Sequence, residues 1–449
     1  MTQRRSYAKP FFLDASASCG HLASRRTRLL LGLFAVGLVI PMADVPGWGI
    51  SLSTPIFCLL ALDLSLGREP LDWRPYRKWI LLASLFWMGQ FVSLAGNIFS
   101  GQLAQLAVDD WLHLLRLSYW MAVFLVTAAL VSRWSLGPCV CSVLAVSLIG
   151  LASLRLVEAV SLGTWGTARA LLYTPNGYGF LFSTFTPFLV WLVLSEMGWR
   201  RLFYGLGLLV TVFAIAGNGS RSSWAAVALG AFLASLLFAL RQSRSFARLG
   251  SLGAAAVVPA FLAVLLVPSD LLRPVVDRFW SLDRLNEDKS YAARLVLLKK
   301  ARDLFSQNPV LGIGAGRFRR ADAPLEIPAL LHAQREQELN RRSPHNSYAG
   351  LLAESGLLGA APLAALLFVL ARRGWLAAWR GSHQSRAWII PVYAAFAGMS
   401  LHLTALSGLT GAAPWFVYGL VAAAIQKSNP WRRQPWRKGR PFLATADSG

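Results

Sequence analysis

The sequence predicts an all-α polytopic membrane protein of about twelve transmembrane helices, with one long loop that contains short helices. Three observations predict it. The 449 residues are 55% hydrophobic and only 14% charged, with a mean hydropathy of +0.49. Apolar runs of roughly 17–25 residues recur, the length that carries a helix across about 30 Å of hydrocarbon. Lys and Arg cluster in alternate connections between those runs. Backbone in lipid must satisfy its own hydrogen bonds, so the runs are read as helices rather than open strands.

In chain order the expected spans fall near 29–46, 50–66, 78–97, 111–131, 138–157, 178–197, 202–217, 222–240, 250–268, 347–371, 387–405 and 410–426. They divide the chain into a basic N-terminus (1–28), a membrane part of nine spans (29–268), a polar loop (269–346), a membrane part of three spans (347–426) and a basic tail (427–449). The N-terminus has a basic region and an apolar run but no small-residue cleavage site, so the first span is expected to be uncleaved.

The net charge of +23 invites a nucleic-acid reading, but its distribution opposes one. Arg25, Arg26 and Arg28 precede the first span, and Arg68, Arg74, Arg77 and Lys78 fill the second connection. Arg200 and Arg201, then Arg241, Arg244 and Arg248, then Arg372, Arg373, Arg380 and Arg386, occupy later alternate connections. The connections 42–49, 98–108 and 406–409 have no Lys or Arg. This is the positive-inside pattern. It predicts cytoplasmic termini and a loop outside, in the periplasm of a Gram-negative cell. A nucleic-acid surface would instead gather its cations on one soluble face. The basic tail is expected to meet anionic lipid headgroups. Cys19, Cys58, Cys139 and Cys141 show no disulfide or zinc spacing, and no metal is expected.

Loops longer than about 12–15 residues are uncommon in compact domains unless functional. Within this one, residues 290–306 are amphipathic: Leu295, Leu298, Arg302 and Phe305 share one helical sector, with Lys299 beside it. Ser290 reads as the N-cap, and Asn308-Pro309 as the stop. A second short helix is expected at 325–340, its apolar positions Ile327, Leu330 and Leu331 set against Arg335, Glu336 and Glu338. Periodicity alone leaves open whether it is a movable lid or an ordinary packed helix.

Four polar positions stand out at expected outer span ends. Arg221, in Asn218-Gly-Ser-Arg-Ser-Ser223, breaks the charge pattern at a membrane boundary, where arginine is costly and a functional candidate; the plain alternative is a snorkelling anchor. Arg294, on local sequence, reads more simply as a solvated charge. His345 lies in Ser343-Pro-His-Asn-Ser-Tyr348, which also reads as a helix start with Asn346 or Ser347 as N-cap. Arg169-Ala-Leu-Leu-Tyr173-Thr-Pro-Asn176-Gly-Tyr178 leads into span six and contains an ordinary turn signal. The run Gly312-Ile-Gly314-Ala-Gly316 lacks a preceding strand and a Gly-Lys-Ser/Thr ending. It is therefore not a nucleotide loop, and its glycines are expected to provide a tight turn returning the loop over the membrane.

Taken together, Asn308-Pro-Val-Leu-Gly-Ile-Gly-Ala-Gly-Arg-Phe318, His345-Asn-Ser-Tyr348 and Leu352-Ala-Glu-Ser-Gly-Leu-Leu-Gly359 resemble the bacterial O-antigen ligase and polymerase superfamily. Gly219-Ser-Arg-Ser-Ser-Trp224 and Thr174-Pro-Asn-Gly177 also look like segments of that family, and the resemblance is strongest over about 165–360. It implies a GT-C-like inner-membrane glycosyltransferase that moves a glycan from an undecaprenyl-diphosphate carrier to a periplasmic-side acceptor, without metal or cofactor. By resemblance, Arg221 and Arg294 match the arginines that hold the donor diphosphate, and His345 the histidine at the reaction centre. Arg169, Tyr173, Asn176, Asn346 and Tyr348 are further candidates for substrate contact. The acceptor is lipid A-core for a ligase, a growing glycan for an O-antigen or exopolysaccharide polymerase, and an exported protein for an O-oligosaccharyltransferase. A transporter is the reading from another class. It predicts polar sites near the midplane, whereas these gather at one face.

Overall fold

The computed structural model describes residues 25–39, 53–65, 72–100, 107–163, 174–240, 288–331, 336–380 and 383–428, with isolated positions between 273 and 280. Every regular element among them is a helix. In chain order these are α1 (Arg25–Val39), α2 (Ser53–Ser65), α3 (Arg77–Phe99), α4 (Val108–Trp134), α5 (Gly137–Ser161), α6 (Pro175–Ser195) and α7 (Gly198–Gly217). They continue with α8 (Arg221–Ala239), α9 (Lys289–Gln307), the short α10 (Glu336–Asn340), α11 (Ser347–Arg380), α12 (His383–His402) and α13 (Ala412–Ser428).

Seven of these helices are long and apolar enough to cross a membrane: α3 with its leading 3-10 turn, α4, α5, α6, α7, α8 and α11. Four of the remaining expected spans coincide with α1, α2, α12 and α13, which are not among the seven. The expected span at 250–268, the N-terminus up to 24 and the tail after 428 lie outside the described residues.

The burial pattern sorts the helices. Every residue of α6 from Tyr178 to Leu192 is buried, as is every residue of α13 from Ala413 to Ala424. Helices apolar on all sides belong in the interior of a bundle. α13 packs on α4, while α6 packs between α5, α7, α8 and α12. The core they fill is aromatic: Phe34, Phe124, Phe182, Phe185, Phe188, Trp415 and Phe416 are almost wholly enclosed.

Short turns join α4 to α5, α6 to α7, α7 to α8 and α11 to α12, so neighbours run antiparallel. The first residues of α6, α8 and α11 thereby share one end of the bundle with the last residues of α7 and α12. Bonds across that end fix it. The Asn218 side chain donates to the Pro175 carbonyl at 2.6 Å, and the Ser347 amide donates to the Leu403 carbonyl at 2.9 Å. Arg133, Arg200, Arg201, Arg372, Arg373, Arg380 and Lys427 lie toward the opposite end.

α9 and the chain up to 345 form a small cap with its own core. Leu297, Ala301 and Leu304 pack on Phe318 and Ala353, and Ala292, Ala293 and Val296 pack on Leu331 and Leu339. At its centre the buried Lys300 donates to the carbonyls of Phe318 (3.1 Å) and Asn340 (2.8 Å). Burial lowers its pKa to about 8.

The expected loop helix at 290–306 is therefore present as Lys289–Gln307, with one correction. Its N-cap is Asp288, whose Oδ1 accepts from the amides of Ser290 and Tyr291; a carboxylate there also suits the positive end of a helix. Its buried face is the alanine-rich one, leaving Leu295 and Leu298 exposed. The single helix expected at 325–340 is a 3-10 turn at Ala329–Leu331 and the five-residue α10, with 332–335 outside the described residues.

Candidate functional site

The glycine run does more than turn the chain. α11 is broken at Gly356, whose backbone (φ 57°, ψ −162°) lies where a side chain is not tolerated. A break frees carbonyls on one side and amides on the other, and in an apolar bundle each must find a partner. The run supplies them. Ile313 and Gly314 amides donate to the carbonyls of Ala353 (3.0 Å) and Glu354 (2.9 Å), and Leu357 and Leu358 amides donate to Pro309 (2.8 Å) and Val310 (3.1 Å). α3 holds the joint from behind. Ser93 donates to the Leu311 and Glu354 carbonyls, Asn97 to the Gly312 carbonyl and Gln90 to the Ser355 hydroxyl. Gly312, Gly314 and Gly316 all have positive φ, and a Cβ on Gly312 would stand 2.5 Å from the Glu354 carbonyl.

Ion pairs pin the far side of this turn. Arg317 grips the carboxylate of Asp110 with two nitrogens, and Arg320 spans Asp109 and Asp110. Asp110 also accepts from the Ala107 amide (2.8 Å), closing the first turn of α4. These acids escaped sequence reasoning. Their signal was two carboxylates in a helix's first turn facing an Arg-rich loop.

With the turn docked, the cap sits over the bundle end. Arg221 is the first residue of α8, and its guanidinium is ion-paired with Asp288. Burial by itself would raise the Asp288 pKa, but the amides of Tyr291 and Ser290 and the Arg221 charge hold it below its ordinary value. Beside Arg221, the Ser220 hydroxyl donates to Asn176 Oδ1 at 3.0 Å in the first turn of α6. The first turns of α6, α8 and α9 are thus bonded to one another, which concentrates helix N-terminal charge at one place.

His345 enters from the other side. Its φ of 49° is left-handed, an uncommon state for a residue with a side chain, which persists where surroundings over-determine it. The next three residues do so. Asn346 Oδ1 caps α11, accepting from the amides of Tyr348 (3.1 Å) and Ala349 (3.0 Å). The Ser347 hydroxyl donates to the Leu406 carbonyl (2.6 Å), and the Tyr348 hydroxyl donates to the Ser400 carbonyl (3.2 Å). His345 Nδ1 is buried without a hydrogen-bond partner among the described residues. Burial, then the charges of Arg294 and Arg342, lower the His345 pKa, so the imidazole is neutral near pH 7. Arg294, on α9, therefore stands within electrostatic reach of His345.

Of the sequence-derived candidates, Arg221, Arg294, His345, Asn176, Asn346 and Tyr348 all lie at this end of the bundle. Asn346 and Tyr348 are committed to the start of α11 through their capping and hydroxyl bonds. Arg169 and Tyr173 lie outside the described residues. A further missed residue is Asp288, recognisable only as an acid just ahead of an amphipathic helix. On the outer face of α9, Leu295, Leu298, Lys299, Arg302 and Phe305 line a groove of about 560 Å³ against Leu352 of α11.

No curated protein matches the chain. Residues 206–364, about a third of the chain, match the family described as O-antigen ligase. That stretch contains Arg221, Asp288, Arg294, the glycine turn and His345, and over it the chain is similar to the O-antigen ligase family.

Proposed function

We propose that the protein is an inner-membrane glycosyltransferase that moves a glycan from an undecaprenyl-diphosphate carrier to lipid A-core, with the site on the periplasmic face. The observation that supports the reading is that Arg221, paired with Asp288 at the start of α9, opens α8 at the bundle end where His345 leads into α11, with Arg294 of α9 within electrostatic reach of that histidine. The sidedness is supported by the cations gathered toward the opposite end, which the positive-inside rule assigns to the cytoplasm.

The chemistry follows from the groups. As the C1–O bond breaks, its electron pair leaves with the lipid diphosphate, where negative charge grows. Arginine stays protonated and offers a planar fork of donors suited to phosphate oxygens. Fixed guanidiniums and helix N-termini stabilise that charge where water is scarce, so the reaction is proposed to need no metal. The acceptor hydroxyl attacks the anomeric carbon from the opposite side and gives its proton to His345, whose neutral imidazole is ready to receive it. A single displacement inverts the anomeric centre.

Asp288 has a part in this scheme. In the free protein it neutralises Arg221. The donor diphosphate replaces that carboxylate as the guanidinium's partner, so the arginine is held in place before the anion arrives.

A deletion strain tests the assignment. Full-length carrier-linked polymer accumulates if the protein is a ligase. Single repeat units on the acceptor indicate a polymerase instead, and normal polysaccharide with a hypoglycosylated exported protein indicates a protein O-oligosaccharyltransferase. Transfer by purified protein in detergent, with no gradient, rules against a transporter; its failure there, with substrate movement across vesicles, overturns the proposal.

A further inference from the structure

Buried polar groups in a folded chain nearly always have partners, and exceptions call for a cause. Among the described residues several of the exceptions lie where the start of α11 meets the end of α12. His402, the last residue of α12, is 0% exposed, and neither of its ring nitrogens has a hydrogen-bond partner among the described residues. The buried hydroxyl oxygens of Ser400 and Ser407 and Nδ1 of His345 are likewise without one. Ser347 ties these together: its amide donates to Leu403, and its hydroxyl bonds Leu406, Gly408 and Leu409.

The surroundings place this cluster beside the proposed reaction centre. The His402 ring meets Phe180 edge-on at 5.9 Å, one turn below Asn176 on α6. Arg294 lies within electrostatic reach of His402 as it does of His345. The chemistry of the set is specific. A neutral imidazole offers one donor and one acceptor, and each serine hydroxyl offers both. A phosphate oxygen can only accept. A sugar hydroxyl both donates and accepts, and so matches the set.

We propose that His402, with Ser407, forms the subsite that hydrogen-bonds the hydroxyls of the donor's first sugar, next to the diphosphate held by Arg294. This rests on the lipid-diphosphate reading above, and the test separates the two. Purified protein in nanodiscs is titrated with undecaprenyl diphosphate and with the same lipid carrying one N-acetylglucosamine.

Wild-type protein is expected to bind the sugar-bearing lipid at least ~10-fold more tightly, which by the free-energy scale of affinity is one decade. His402→Phe should lose that preference while binding the bare lipid as before. His402→Gln, which keeps a donor and an acceptor, should retain part of it. Ser407→Ala should weaken it. In ¹⁵N-histidine spectra, the His402 imidazole should shift with the sugar-bearing lipid and not with the bare one.

An unchanged preference in His402→Phe, or no His402 shift in wild type, overturns the subsite. So does equal binding of the two lipids. Failure of wild type to bind either lipid removes the diphosphate reading itself.

Discussion

Arg221, the residue that opens α8, is ion-paired with Asp288, the residue that caps α9, across 67 positions of sequence. One carboxylate thus serves a helix end and a guanidinium together. Asparagine caps a helix about as well as aspartate, whereas alanine forfeits about 1 kcal/mol. Asp288→Asn should therefore keep the cap but, by removing the carboxylate that faces the mostly buried Arg221, melt earlier than wild type; it should bind undecaprenyl diphosphate more tightly, because no anion competes for Arg221. Asp288→Ala should melt earlier still. Equal melting losses in both variants would mean that charge, not capping, holds the start of α9.

The two arginines should tolerate no neutral replacement. Arg221→Ala and Arg294→Ala are each expected to abolish glycan transfer with membrane insertion intact. Lysine should rescue poorly, because a point charge cannot present the planar fork that spans two phosphate oxygens. Transfer assays on membranes with matched protein levels check this. Full activity of either alanine variant removes that arginine from the mechanism.

His345 should set the acid limb of the rate profile. Its pKa lies below the ordinary histidine value, so the neutral imidazole survives as pH falls through that value, and activity is lost only further down. Arg342 contributes to the lowering and is otherwise paired with Glu338 at the cap surface. Arg342→Gln should move the acid limb to higher pH without altering the plateau. His345→Ala should cost at least ~100-fold if the imidazole takes the acceptor's proton. A loss of a few-fold, with the limb unmoved, would make it a group that only orients the acceptor.

Much of this was legible in the sequence because apolar length and loop charge are local properties. The cap helix was readable from 290–306, and Arg221 from its violation of the charge pattern. The helix-start reading of Asn346 was correct for the same reason: capping is decided within three residues. What stayed hidden depends on distant partners. The face of α9 that packs is the alanine face, because Phe318 and Ala353 come up against it; Leu295 and Leu298 line an open groove. Asp288 looked like one more loop acid until Arg221 met it. The glycine run read as a turn, since nothing near it announces that α11 is broken more than forty residues later.

The ion pair between Arg317 and Asp110 fastens the glycine turn to α4, with the acid nearly buried and the arginine largely so. Removing one member of a buried pair costs on the order of 3–5 kcal/mol when the other charge is left alone; here Arg320 still reaches Asp110 at 3.3 Å, so the loss of Arg317 should cost less than that. Arg317→Met should lower the melting temperature and loosen the cap, seen as faster hydrogen exchange at 311–320. Arg317→Met combined with Asp110→Asn should recover part of the loss, since neither charge is then left alone. No recovery in the double variant would show that Asp110 matters for closing α4 rather than for holding the turn.

Among the described residues, Gly356 should be one of the least replaceable glycines. Its φ of 57° and ψ of −162° fall in a region open essentially to glycine alone, and a Cβ there would lie 2.3 Å from the Val310 carbonyl oxygen. Relief by straightening α11 is closed off, because the amides of Leu357 and Leu358 would then leave Pro309 and Val310 without donors. Gly356→Ala is expected to cost at least ~1–3 kcal/mol in backbone strain alone. It should also displace the turn that carries Arg317, and with it the cap bearing Arg294. Gly32, where an added Cβ meets nothing within 4 Å, is the control: Gly32→Ala should be neutral or slightly stabilising. Thermal melts of the two variants in detergent, read beside glycan transfer in membranes, check the contrast. A Gly356→Ala protein with wild-type melting and transfer would mean that the break in α11 is incidental, and that the cap is held over the site by Arg317 and α3 without it.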